Sequence, residues 1–244
     1  MMTATDHDSG AREAVGEVSR YAVLFVLEGV SGSERQATYQ VLTSILQDQG
    51  VKIIPAHISR FCLEVSPEDY LPDLLEAVGA TRLSSDKLAD DIRGGIAMQL
   101  SSKSVFLPER IREFFHFARA RNIELAALSG LPQASAMALM DSLGLTELGI
   151  QLVVMGHENV DHFPRADSWL KLSRSMKKSP KECAVIAGNR VEVRAAMSAG
   201  MRCVAVPDQF TAFEDFSGSN AIIEDISEYS LEQLLDVLCP HIGD

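Results

Sequence analysis

Apolar residues run without a break from Tyr21 to Leu27 and stop at Glu28-Gly29. A run this short, apolar on both faces and closed by glycine, predicts a buried central strand. The pattern then becomes helical. Ser33 is a candidate N-cap, Gly50 a stop, and Ala37, Val41 and Ile45 recur at every fourth residue, so one stripe faces a core.

From Ile53 to about Ser102 the spacing stays helical and no strand pattern interrupts it. Ser66-Pro67-Glu68-Asp69 predicts a helix start, with a hydroxyl cap, proline at the first position and an acid in the first turn. Leu71, Leu74, Leu75 and Val78 form its apolar face, and Gly79 ends it. A further helix opens at Ser84-Ser85-Asp86 and runs to Leu100, although Gly94-Gly95 inside it cost about 1 kcal/mol each against alanine. The stretch therefore reads as a small helical insertion after the first strand.

Beyond Pro108 the rhythm becomes regular. Strands are expected at Ile123–Leu128, Leu152–Met155, Ala184–Ala187, Cys203–Val206 and Ala221–Ile223. Helices are expected at 109–121, Pro132–Leu143, Ala166–Met176, Val191–Ala199 and Leu231–Leu238. Strands alternating with helices of this length predict an α/β fold: a Rossmann-like parallel sheet with helices on both faces. Ligands of such sheets bind beyond the carboxyl ends of the strands, here Glu28, Ser129, Gly156, Gly188 and Asp208.

Composition narrows the partners. The chain has 22 Lys+Arg against 34 Asp+Glu, a net charge of −12. That disfavours nucleic acid and anionic membrane surfaces, which need a basic stripe. No run of about 18 apolar residues is present, so no membrane span is expected. Residues 1–20 carry Asp6, Asp8, Glu13 and Glu17 and read as a disordered acidic tail, unlike a secretory signal. The four cysteines, Cys62, Cys183, Cys203 and Cys239, have neither zinc nor disulfide spacing and read as buried thiols of a reducing, cytoplasmic compartment.

The strand ends resemble, in order, the motifs of the haloacid dehalogenase superfamily, in its capped phosphatase and phosphosugar-mutase branch. Phe25-Val26-Leu27-Glu28-Gly29-Val30 is similar to that family's first motif, F-D-x-D-G-[TV], and Ser33-Glu34 to the start of its cap. Leu125–Ser129 resembles the second motif and Phe163-Pro164-Arg165-Ala166-Asp167 the third, K-P-x-P-D. Val185–Asn189, followed by Ala195-Ala196-Met197-Ser198-Ala199-Gly200-Met201, resembles the fourth. The resemblance implies a core of residues 21–32 and 103–244, with a helical cap at 33–102.

It also implies a reaction that these residues do not support. The family's nucleophilic Asp becomes an aspartyl-phosphate; the matching position is Val26. Its acid/base Asp is Glu28, one methylene longer, its phosphate-clamping Lys is Phe163, and its Mg²⁺-binding Asp is Gly188. Mg²⁺ needs several hard oxygen ligands, so the metal is expected to be lost and no cofactor to remain. Glu28, Ser129 and Glu192 are the residual candidates for chemistry. Val26 is expected to be core, Phe163 a plug over the vacated phosphate site, the Glu28 charge to face solvent, and Ser129 to cap a turn. His157, Glu158, Asp161 and His162 read as a polar loop, Arg190 and Lys177-Lys178 as solvated cations, and Trp169 as core.

Two functions follow. One is a catalytically degenerate protein, a pseudoenzyme, that binds a protein partner or a small ligand in the cleft. The other is a divergent hydrolase, phosphatase or phosphosugar mutase, with re-invented or residual activity. A homo-oligomer using the helical insertion as its interface is also open.

Overall fold

The computed structural model describes residues 20–31, 33–63, 66–100, 107–155 and 163–240. Strand β1 (Ala22–Val26) is followed at once by a helical turn, α1 (Leu27–Ser31), and by helix α2 (Ser33–Gln47). A short turn α3 (Pro55–His57), continued by a π turn at Ile58–Cys62, leads to α4 (Pro67–Ala77) and α5 (Ser85–Leu100). The chain then alternates through α6 (Glu109–Ala120), β2 (Glu124–Ser129), α7 (Gln133–Ser142), β3 (Gln151–Val154) and α8 (Ala166–Ser175). It closes with β4 (Cys183–Ala187), α9 (Arg190–Ser198), β5 (Arg202–Ala205), β6 (Ala221–Ile222) and α10 (Leu231–Leu238).

The strands form one parallel sheet in the order β3-β2-β1-β4-β5-β6. Alternation along β1 divides the core between the sheet's faces. Val23 and Phe25 point into a cluster with Phe114 and Phe115 of α6, Leu139 of α7 and Leu234 of α10. Ala22, Leu24 and Val26 point the other way, against Trp169 and Leu172 of α8 and Val193 and Ala196 of α9. Phe25 stacks on Phe115 with ring centroids 4.8 Å apart. Trp169 is fully buried, as expected.

Between β1 and β2 the described residues are helical and carry a third cluster of their own, with Leu42 and Leu46 of α2, Leu71 and Leu74 of α4, and Ile92 of α5. Gly95 lets α5 approach α2: a Cβ there would lie 2.8 Å from Val41 Cγ1. The helix-propensity cost of this glycine is thereby exchanged for close packing. No described helix is long and apolar enough to cross a membrane.

Several expectations change. β1 ends at Val26, and Leu27 begins a helical turn while staying fully buried. A short apolar run fits either state, so periodicity alone does not separate them. Ser66 precedes α4 without capping it; its hydroxyl donates to Asp69 Oδ2 at 2.7 Å. Lys178 is not solvated: it pairs with Glu124 Oε1 at 2.7 Å, where the end of α8 packs beside the start of β2. The acidic tail up to residue 19, the 102/103 boundary, Gly156 and the His157–His162 loop lie outside the described residues.

Candidate functional site

The carboxyl ends of β1, β2 and β4 lie side by side, which gathers Glu28, Ser129 and Gly188. Val26 stands opposite Leu128 in the β1–β2 register, so two residues further on Glu28 faces the Ser129-Gly130 turn. Glu28 Oε1 accepts three hydrogen bonds there: from Ser129 Oγ at 2.7 Å, Gly130 N at 2.9 Å and Leu131 N at 3.1 Å. Three donors on one oxygen match an acceptor-only carboxylate. Glu28 is 8% exposed, which corrects the expectation that its charge faces solvent. The physical reason is this ring of donors, which replaces water around the oxygen. Ser129 also accepts from Leu131 N at 3.1 Å, so it closes the turn as expected while holding Glu28.

Val26 is 5% exposed and packs in the α8–α9 cluster, as a core residue. Phe163 lies against the donor turn: a Cβ at Gly130 would be 3.2 Å from its Cδ1. An aromatic ring thus packs against this turn.

Glu192 accepts from a different set of donors. It is 1% exposed, and its Oε2 accepts from Gly188 N at 2.7 Å. Asn189 Nδ2 donates to Glu192 Oε1 at 3.0 Å, and Glu192 N donates to Asn189 Oδ1 at 2.9 Å. The acid therefore serves the N-terminus of α9, where the helix dipole favours negative charge. Gly29 is small for a reason: a Cβ there would sit 2.6 Å from Glu192 Oε1. Arg190 is half exposed, but its backbone N donates to Glu214 Oε2 at 2.7 Å, a contact the sequence did not suggest.

Arg35, in the first turn of α2, was missed by sequence reasoning. Its Nη2 donates to the Gly29 carbonyl at 3.1 Å, and its Nε to Asp208 Oδ2 at 2.8 Å. A Cβ at Gly188 would lie 3.4 Å from Arg35 Nη2 and 3.4 Å from the Gly29 oxygen. Asp208 Oδ1 in turn accepts from Phe210 N at 2.8 Å and Thr211 N at 3.1 Å, which fixes the loop after β5.

These residues do not fit the Mg²⁺ that the motif resemblance implies. The two positions that would supply hard oxygens are the apolar Val26 and the side-chain-free Gly188, and a guanidinium lies beside the latter. Among the described residues no group of three or more His, Cys, Asp or Glu is disposed to hold a metal.

No protein-family model matches the chain. It is 25% identical over 130 residues to protein CbbY of Rhodobacter capsulatus, covering 52% of this chain and 57% of that protein. The chain thus spans little more than half the length of that relative. The putative phosphatase YhcW of Bacillus subtilis (strain 168) is 21% identical over 221 residues, 89% of this chain and 97% of that protein. Among solved structures, a conserved haloacid dehalogenase-like protein of unknown function from Agrobacterium tumefaciens has a TM-score of 0.72 at 18% identity. That likeness covers 93% of this chain and 100% of the other, and it concerns the fold. With the strand order, these likenesses show that the chain has the fold of the haloacid dehalogenase-like superfamily, whose motifs its strand ends resemble in order.

Proposed function

We propose that the chain is a catalytically inactive member of its superfamily, which acts by binding a protein partner or a small ligand. In this reading residues 21–32 and 103–244 form the core, and 33–102 a helical cap over the strand ends. One observation carries it: the donors of the Ser129-Gly130-Leu131 turn, where an incoming anion would bind, are taken by the chain's own Glu28. A phosphate ester would also find an apolar Val26 where the family's nucleophile stands, and the Arg35 guanidinium already paired with Asp208. Preorganised charge aimed at the transition state supplies most of the acceleration in such catalysis, and here that charge is already neutralised internally.

The competing reading, a divergent phosphatase or phosphosugar mutase, draws on the relatives' names and on the 2.7 Å Glu28–Ser129 contact. Hydrolysis of a panel of sugar phosphates with Mg²⁺ separates the two. The inactive reading expects no phosphate release above a protein-free control. Turnover that copurifies with the protein and disappears in Glu28→Ala would establish the enzyme instead.

A further inference from the structure

We propose that the Arg35 guanidinium is a built-in cation that stands in for a divalent metal at the strand ends and latches the helical insertion onto the loop after β5. A positive side chain in the first turn of a helix opposes the helix dipole, so Arg35 is placed against local preference. Tertiary partners reverse that preference. Nη2 bonds the Gly29 carbonyl and Nε bonds Asp208, and the side chain is only 12% exposed. Both partners are oxygens at strand ends, the ligand type that a hard cation would seek. The guanidinium also adjoins Gly188, where the superfamily pattern calls for an acid. A metal bound there would be repelled by the guanidinium, and an acid at 188 would pair with the guanidinium instead of holding a metal.

The same contact joins two parts of the molecule. Asp208 begins a segment that touches the insertion at every step. Gln209 Nε2 donates to Gln36 Oε1 at 3.3 Å. Phe210 enters the insertion's apolar cluster, with its ring 5.7 Å from that of Tyr39, and its carbonyl accepts from Ser59 Oγ. A metal would leave the insertion free of such a covalently tethered cation. Arg35 instead ties the charge balance of the strand ends to the start of α2. This holds whether or not the protein turns over a substrate, because a metal-independent enzyme would satisfy it equally.

Thermal melts and calorimetry test it on the full chain. Wild type is expected to give no saturable heat with MgCl₂ and no Tm change beyond an ionic-strength-matched NaCl control. Arg35→Ala is expected to lower Tm by roughly 5–10 °C, as for a partly buried ion pair broken on one side. Millimolar guanidinium, too dilute to denature, should restore part of that loss while leaving wild type unchanged. Arg35→Lys keeps the charge and should retain most of the stability, which decides the matter if Arg35→Ala fails to fold. Saturable one-to-one Mg²⁺ binding by wild type would overturn the proposal. So would an Arg35→Lys variant no more stable than Arg35→Gln. Neither result depends on phosphate release, so this inference and the inactive reading fail separately.

Discussion

Replacing Glu28 by alanine tests the internal anion most sharply. The substitution removes the acceptor of three hydrogen bonds and leaves the Ser129 hydroxyl, at 0% exposure, and the Gly130 N–H without it. Leu131 N keeps its contact with Ser129 Oγ at 3.1 Å, so two donors are orphaned rather than three. An unsatisfied buried donor costs about 1–3 kcal/mol. Relief from burying the carboxyl group, and water entering the vacated space beside the part-buried Gly130, offset part of this, so the expected loss is about 2–4 kcal/mol. At roughly 2–4 °C per kcal/mol for a chain of this size, Tm should fall by about 10 °C. The vacated turn then offers its donors to solution. An anion that binds only the folded variant at 100 times its Kd would return about 2.7 kcal/mol. Melts with and without phosphate, at constant ionic strength, should show a phosphate-dependent rise in Glu28→Ala and none in wild type. Equal stabilisation of both proteins would refute the reasoning, because the turn would then be open to anions with Glu28 in place.

Other outcomes follow from the same structure. Burial pushes the Glu214 carboxyl above its ordinary value of 4.5, against the Arg190 backbone N–H and the charges of Arg190 and Arg35. The folded state therefore holds this proton more tightly than the unfolded chain, and the acid's cost grows as pH rises through the raised value. Glu214→Gln should melt above wild type at neutral pH, with the gap closing below about pH 4.5. Burial also pushes the thiols of Cys62, Cys183, Cys203 and Cys239 up to about 12. A thiol reagent at pH 8 should accordingly react slowly with the native chain and with all four cysteines once it is denatured; rapid native labelling would count against those environments. Gly95→Ala should destabilise, since overpacking against Val41 costs about 1–3 kcal/mol and helix propensity returns only about 1; denaturant unfolding measures it, and a more stable variant would mean that α2 and α5 separate easily.

The sheet and its helices were legible in the sequence because hydrophobic period and punctuation agree along most of the chain. Glycines or prolines follow the apolar strands, and amphipathic helices separate them. Even the departures at Val26, Phe163 and Gly188 could be read from their residue types. What could not be read was where the remaining charges go. Glu28 at the end of an apolar run suggests a carboxylate in water, and only the register of β1 on β2 turns it toward Gly130. That register was a usable signal: adjacent strands ending in an acid and in Ser-Gly invite such a bond. Arg35 offered none. An arginine on a polar helix face reads as solvated, and its partner Asp208 lies 173 residues away. Glu192 seemed a candidate for chemistry because of its distance from Gly188, yet that same spacing suits it to its own helix N-terminus.

The central claim is that the cleft has kept the fold and lost the reaction. Phosphate release under single-turnover conditions, with protein in excess over a sugar phosphate and Mg²⁺ present, tests this most directly, because it removes product release and weak binding from the reading. The account predicts no release beyond the protein-free rate at any protein concentration. Release that rises with wild-type protein and vanishes in Glu28→Ala would contradict it.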